Sequence, residues 1–155
     1  MRRQRWFPSV VLAVSLFAIN VLARLIAQIG FDDDQSAHNR ATLVMFVLIA
    51  LVLGGYAFVV SQGRRPSGWL PELAFGAVGG MLLTVLAGPL VTGDSPFGNG
   101  AGDFFAQIWL YSACAAVGTL LGYWIAVLLG RDYRSRSLAA YSQARITKPR
   151  RVVRR

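Results

Sequence analysis

An all-α, polytopic integral membrane four-helix bundle is the fold this sequence predicts, and three observations carry the prediction. The chain has 155 residues, 55% of them hydrophobic, with a mean hydropathy of +0.49, above that of an ordinary soluble domain. Four apolar runs each approach the ~20 residues that a helix needs to cross a hydrocarbon core of ~30 Å. Charged residues make up only 15% of the chain, yet the net charge is +9, and the basic residues lie almost entirely outside the runs. One compact unit is expected at this length, so residues 1–155 read as a single four-span domain with no soluble domain.

The first span covers residues 8–29. It follows Arg2, Arg3 and Arg5, which resemble the start of a signal peptide. The apolar run is longer than such a signal needs, and no small-x-small cleavage site precedes the polar stretch, so the helix is expected to be retained as a signal anchor. The second span covers residues 41–60, after Asp32, Asp33, Asp34 and Gln35. The third covers residues 71–91, set off by Gly63, Pro66 and Gly68. Pro71 and Glu72 suit its first turn, where proline loses no bond and a carboxylate meets the positive helix end. Pro89 predicts a modest kink near its far end. The fourth covers residues 104–129, behind a glycine-rich loop, with Asp103 as its expected N-cap. Each helix satisfies its own backbone, as lipid demands.

Orientation follows from the positive-inside rule. Arg2, Arg3, Arg5, Arg64, Arg65, Arg131, Arg134 and Arg136 all fall on one side of a four-span chain. The other side holds Asp32, Asp33, Asp34, Asp94 and Asp103 against Arg40. Both termini are therefore expected in the cytoplasm. Trp6, Trp69 and Tyr133 mark one interface, and Phe104, Phe105 and Trp109 the other. Arginine outnumbers lysine, with Lys148 the sole lysine. With abundant Ala, Gly and Val, that bias fits a bacterial coding preference, and the expected location is a bacterial cell membrane.

Two rows of small residues predict close helix packing. The third span carries Gly76, Gly80, Thr84 and Gly88. The fourth carries Cys114, Gly118, Gly122, Ala126 and Gly130. Residues four apart share a helix face, so the two rows are expected to pack on each other or on a partner.

Asn20, Arg24 and Gln28 form a polar stripe within the first span. A charge in a transmembrane helix costs ~2.5 kcal/mol or more at the centre and less near the ends. Arg24 is therefore expected to contact an anionic ligand or a partner carboxylate, to snorkel toward the headgroups, or to pair with Asp32, Asp33 or Asp34. No carboxylate or histidine lies within a span interior, Glu72 being at a helix start, which argues against a proton-coupled carrier of the four-span multidrug type.

Catalytic chemistry finds no support. Cys114 is the sole cysteine, so no intrachain disulfide forms. Asp32, Asp33, Asp34 and His38 match no closed metal-binding spacing. Ser112, Thr84 and Thr119 have no evident base, and no phosphate-binding loop occurs. No cofactor or metal is expected, and the chain is not expected to be an enzyme.

Residues 131–155 form a basic cytoplasmic tail, with a short interfacial helix expected over residues 132–144. Arg131, Arg134, Arg136, Lys148, Arg150 and Arg151 are expected to meet anionic lipid headgroups, at about 1 kcal/mol per basic residue. Nucleic acid is not expected as a partner, because no aromatic residues interleave with the charges. Two function classes follow: an accessory or structural subunit of a larger membrane complex, or a small homo-oligomeric channel or carrier for a polar or anionic solute. The expected partners are other membrane subunits or further copies of the chain.

Overall fold

The fold, a computed structural model, describes residues 6–30, 35–91, 93, 95, 97 and 100–147. Its elements are α1 (Phe7–Gly30), α2 (Gln35–Ser61), α3 (Pro66–Leu82), a π-helical turn (Leu83–Ala87), α4 (Gly88–Val91), α5 (Ala101–Leu128) and α6 (Tyr133–Thr147). No strand occurs among the described residues. The third rod is α3, the π turn and α4 in series. Among the described residues, four helices are long and apolar enough to cross a membrane. α1 alone has 24 residues, about 36 Å at ~1.5 Å per residue.

Helix starts depart from the sequence expectation in informative ways. α3 begins at Pro66, not Pro71. Arg65 is extended (φ −65°, ψ 146°), and Pro66 takes the first helical positions, where its missing N–H costs nothing. Pro71 consequently lies inside the helix. Glu72 is past the first turn and pairs with Arg64 instead, Nη1 to Oε2 at 2.9 Å. α2 starts at Gln35, earlier than expected, because Gln35, Ser36, His38, Asn39 and Arg40 are accommodated in the helix without being apolar. α5 starts at Ala101 behind Gly100, whose φ is +93°. Asp103 is thus in the first turn and not the N-cap; its charge still meets the positive helix end.

The core runs along the bundle axis. Leu16, Ile49, Leu53 and Ala57 are fully buried, with Trp69 and Tyr111 nearly so. The outer surface is apolar in turn: Val10, Val14, Leu22, Val47, Leu51 and Leu120 are all exposed. That is the reverse of a water-soluble bundle, whose outer face is polar.

α1 packs on α3, and α2 packs on α5. The two small-residue rows therefore do not meet. Gly76 lies against Leu12 and the Ser9 carbonyl, and Gly80 against Leu16 and the Tyr111 hydroxyl. Gly118 and Gly122 lie against the backbones of Ala50 and Gly54. A Cβ on either would run into that backbone. Gly130 has no packing role. With φ +61° it is a left-handed cap, and the amide of Arg131 donates to the Ala126 carbonyl at 2.9 Å, that of Gly130 to Val127 at 2.9 Å. This paired pattern closes α5 and turns the chain into α6.

Candidate functional site

Asn20 and Arg24 of the α1 polar stripe face the bundle. Leu12, Leu16, Asn20 and Arg24 are four apart and share one face, so burying the two leucines against α3 also carries Asn20 and Arg24 toward the third rod. Asn20 is fully buried. Its Nδ2 donates to Met45 Sδ on α2 at 2.8 Å, and its Oδ1 accepts from Arg24 Nε at 3.2 Å. Gly88 closes the site. A Cβ there would come within 2.8 Å of Asn20 Oδ1 and 3.2 Å of Arg24 Nε, so any larger residue would make these side chains shift. Arg24 is half-buried and lies against protein, not directed away from it. The Gln28 side chain lies outside the described residues.

The irregular third rod sits beside this cluster. Pro89 has no amide hydrogen to return to a carbonyl one turn back, and its ring crowds that carbonyl. The strain is relieved upstream, where residues 83–87 widen into the π turn. Thr84 and Tyr111 are 3% and 2% exposed, and neither hydroxyl has a hydrogen-bond partner among the described residues. An unpaired buried hydroxyl costs ~1–3 kcal/mol. Arg24 and Asn20 thus place polar chemistry against Gly88, at the end of the rod that also carries Thr84.

A second feature lies between α2 and α5. Because Gly54, Gly118 and Gly122 bring the two backbones together, no side chain fills the outer side of the seam. The result is an apolar groove of about 650 Å³, lined by Phe46, Ala50, Gly55, Phe58, Cys114 and Leu121 among others. Gly54 and Ala50 were not singled out as packing residues in the sequence; the Ala50–Gly54 spacing is the signal that could have done so.

The basic end of the bundle is more ordered than a charge count suggests. Arg65 Cζ lies 5.6 Å from the centre of the Tyr133 ring, within cation–π range. Asp132 caps α6, its Oδ2 accepting from the amides of Arg134 at 3.1 Å and Ser135 at 3.4 Å. The Ser135 hydroxyl first, and then the Ser135 and Arg134 amides, hold the Asp132 carboxyl below the usual carboxylate range against the contrary effect of burial. Arg131, Arg134 and Arg136 are exposed around this junction. Lys148, Arg150 and Arg151 lie outside the described residues, as do Asp32, Asp33 and Asp34 and the His38 side chain. Among the described residues no group of three or more His, Cys, Asp or Glu is placed to hold a metal.

No protein-family model, curated protein or solved structure matches this chain.

Proposed function

We propose that the chain is a multi-pass protein of a bacterial cell membrane, with both termini cytoplasmic, that serves as an accessory or structural subunit of a larger membrane assembly. The observation that carries this reading is the α2–α5 groove. In lipid, helices associate through close packing and not through exclusion of water. A trough lined by Phe46, Gly55, Phe58 and Leu121 suits the large side chains of a foreign helix. Gly76 and Gly80 are already covered by α1, while the groove beside Gly118 and Gly122 is an open packing surface. Anionic headgroups meeting the arginines of the α5–α6 junction would hold the subunit at the inner interface.

Gly55 offers a clean test. A Cβ there meets nothing within 4 Å, so Gly55→Leu fills the groove without disturbing the bundle. The native protein, released gently from its own membrane, is expected to carry other subunits by native mass spectrometry. Gly55→Leu is expected to lose them while keeping its helix content and melting temperature. Co-purification of the same subunits with Gly55→Leu would remove the groove from the argument, and a clean monomer for the native chain would sink the subunit reading.

One observation favours a second reading, a small homo-oligomeric channel or carrier for a polar or anionic solute. It is the Arg24 cluster beside the π turn, with the unpaired Thr84 and Tyr111 hydroxyls deeper in the bundle. A homo-oligomer showing anion flux in liposomes, abolished by Arg24→Leu with assembly intact, would favour it over the first.

A further inference from the structure

A cavity of about 400 Å³, its wall more apolar than polar but bordered by charged and hydroxyl residues, opens where the ends of α2 and α5 meet the starts of α3 and α6. It is far larger than the ~30 Å³ share of a single water. Its chemistry is two-sided. Arg65 and Arg134 line it with guanidinium groups, and Ser61 and Ser67 add hydroxyls. Asp132, a residue only 6% exposed, is also part of the lining. The carboxylate is half used: Oδ2 caps α6, while Oδ1 has no hydrogen-bond partner among the described residues. A buried carboxylate oxygen left unpaired is costly, and a ligand that donates to it recovers that cost.

We propose that this cavity binds the headgroup of a glycerophospholipid whose phosphodiester is followed by a hydrogen-bond donor, an ammonium or a hydroxyl. Arg65 and Arg134 take the phosphodiester, the anion that guanidinium groups match best. Oδ1 of Asp132, which is enclosed in the unliganded protein, takes the donor once the side chains lining the cavity shift to admit it. The position fits a lipid. The cavity lies just beyond the end of α5, at the level where a helix leaves the hydrocarbon, and the acyl chains then run along the apolar faces of α2 and α5. The Arg65–Tyr133 stack holds one guanidinium group in place beforehand, which lowers the ordering cost of binding. A merely basic surface lacks the carboxylate and would discriminate by net charge alone.

The inference rests on the membrane placement proposed above. The full chain is reconstituted in bilayers of phosphatidylcholine, phosphatidylethanolamine and phosphatidylglycerol with identical acyl chains, and lipids retained on release are counted by native mass spectrometry. The ethanolamine and choline headgroups carry the same net charge and differ in N–H donors. Ethanolamine lipid is expected to be retained over choline lipid by roughly tenfold or more, the worth of about one charge-assisted hydrogen bond. Asp132→Asn, which still caps a helix, is expected to remove that preference and to weaken phosphatidylglycerol. Arg65→Gln is expected to reduce retention of all three.

Equal retention of ethanolamine and choline lipids overturns the proposal. So does stronger phosphatidylglycerol retention by Asp132→Asn, the signature of a plain basic patch. Displacement of bound lipid by soluble glycerophosphoethanolamine would show that the free headgroup suffices; its failure would show that the acyl chains are needed. A chain that does not fractionate with membranes overturns the membrane reading and this site together. A membrane-bound chain without headgroup preference overturns the site alone.

Discussion

At Gly122 the absence of a side chain is a structural requirement. A Cβ built there would run into the backbone of Gly54, and one at Gly118 into that of Ala50. Backbone cannot step aside as a flexible side chain can, so Gly122→Ala must push α2 and α5 apart along their whole seam. Overpacking of this kind costs ~1–3 kcal/mol or more. Gly55→Ala, one residue from Gly54 but facing open space, is expected to be near neutral. Melting temperatures of the two variants in the same detergent check the contrast, and equal losses would mean that the seam is looser than described. Asp132 supports a second expectation. Its carboxyl is held below the usual carboxylate range by the Ser135 hydroxyl and the amides it caps. A group with a lowered folded pKa stabilises above its unfolded value, ~3.9 for Asp, and that contribution fades as pH falls through the folded value. The first turn of α6 should therefore be firm at neutral pH and loosen below about pH 4. Amide chemical shifts of Arg134 and Ser135 in nanodiscs, followed from pH 7 downward, would register it. Asp132→Ala should show the loosened state throughout.

Among the elements, the third rod carries the most information. Its row of Gly76, Gly80, Thr84 and Gly88 was legible in the sequence as a close-packing face. The choice of α1 as its neighbour was not, because small residues say how near a helix comes and not which helix comes. The same holds for Gly118 and Gly122, whose partner row of Ala50 and Gly54 hides among leucines and valines. Asn20 and Arg24 were legible as one stripe from their spacing, while their approach to Gly88 depends on the register of α1 against α3. The irregularity near Pro89 was legible as a kink. It takes the form of a π turn upstream, since the ring acts on the preceding turn. Restoring the amide with Pro89→Ala should let residues 83–87 return to regular α-helix. Amide exchange at Leu90 and its neighbours is expected to slow by roughly tenfold, the effect of about one recovered hydrogen bond. That change would also rotate Gly88 away from Arg24. Unchanged exchange would mean that packing on α1, and not the proline, holds the π turn.

For the whole molecule, the four long apolar helices were legible from run length alone, because a segment that must bury its own backbone polarity in hydrocarbon has little freedom in length or composition. Helix ends were less so. Gln35 and Pro66 begin helices that the apolar pattern starts later, since polar residues extend a helix as readily as apolar ones. The cavity over Asp132 was not legible at all, for it is assembled from the ends of separate helices. Orientation rests on charge placement. Arg64, Arg65, Arg131, Arg134 and Arg136 share one end of the bundle with Trp69 and Tyr133, and the ion pair of Arg64 with Glu72 removes only one of those charges. The excess that remains should keep this end in the cytoplasm. The single cysteine makes the question answerable by labelling. In a Cys114→Ser background, Ser95→Cys reports the loop before α5 and Ser142→Cys reports α6; both serines are exposed. A maleimide that cannot cross membranes should label Ser95→Cys on intact spheroplasts and Ser142→Cys only after lysis. The reverse pattern would mean that the arginines face outward. The headgroup cavity would then lie in the outer leaflet, and the assignment of its lipid would have to begin from that leaflet's composition.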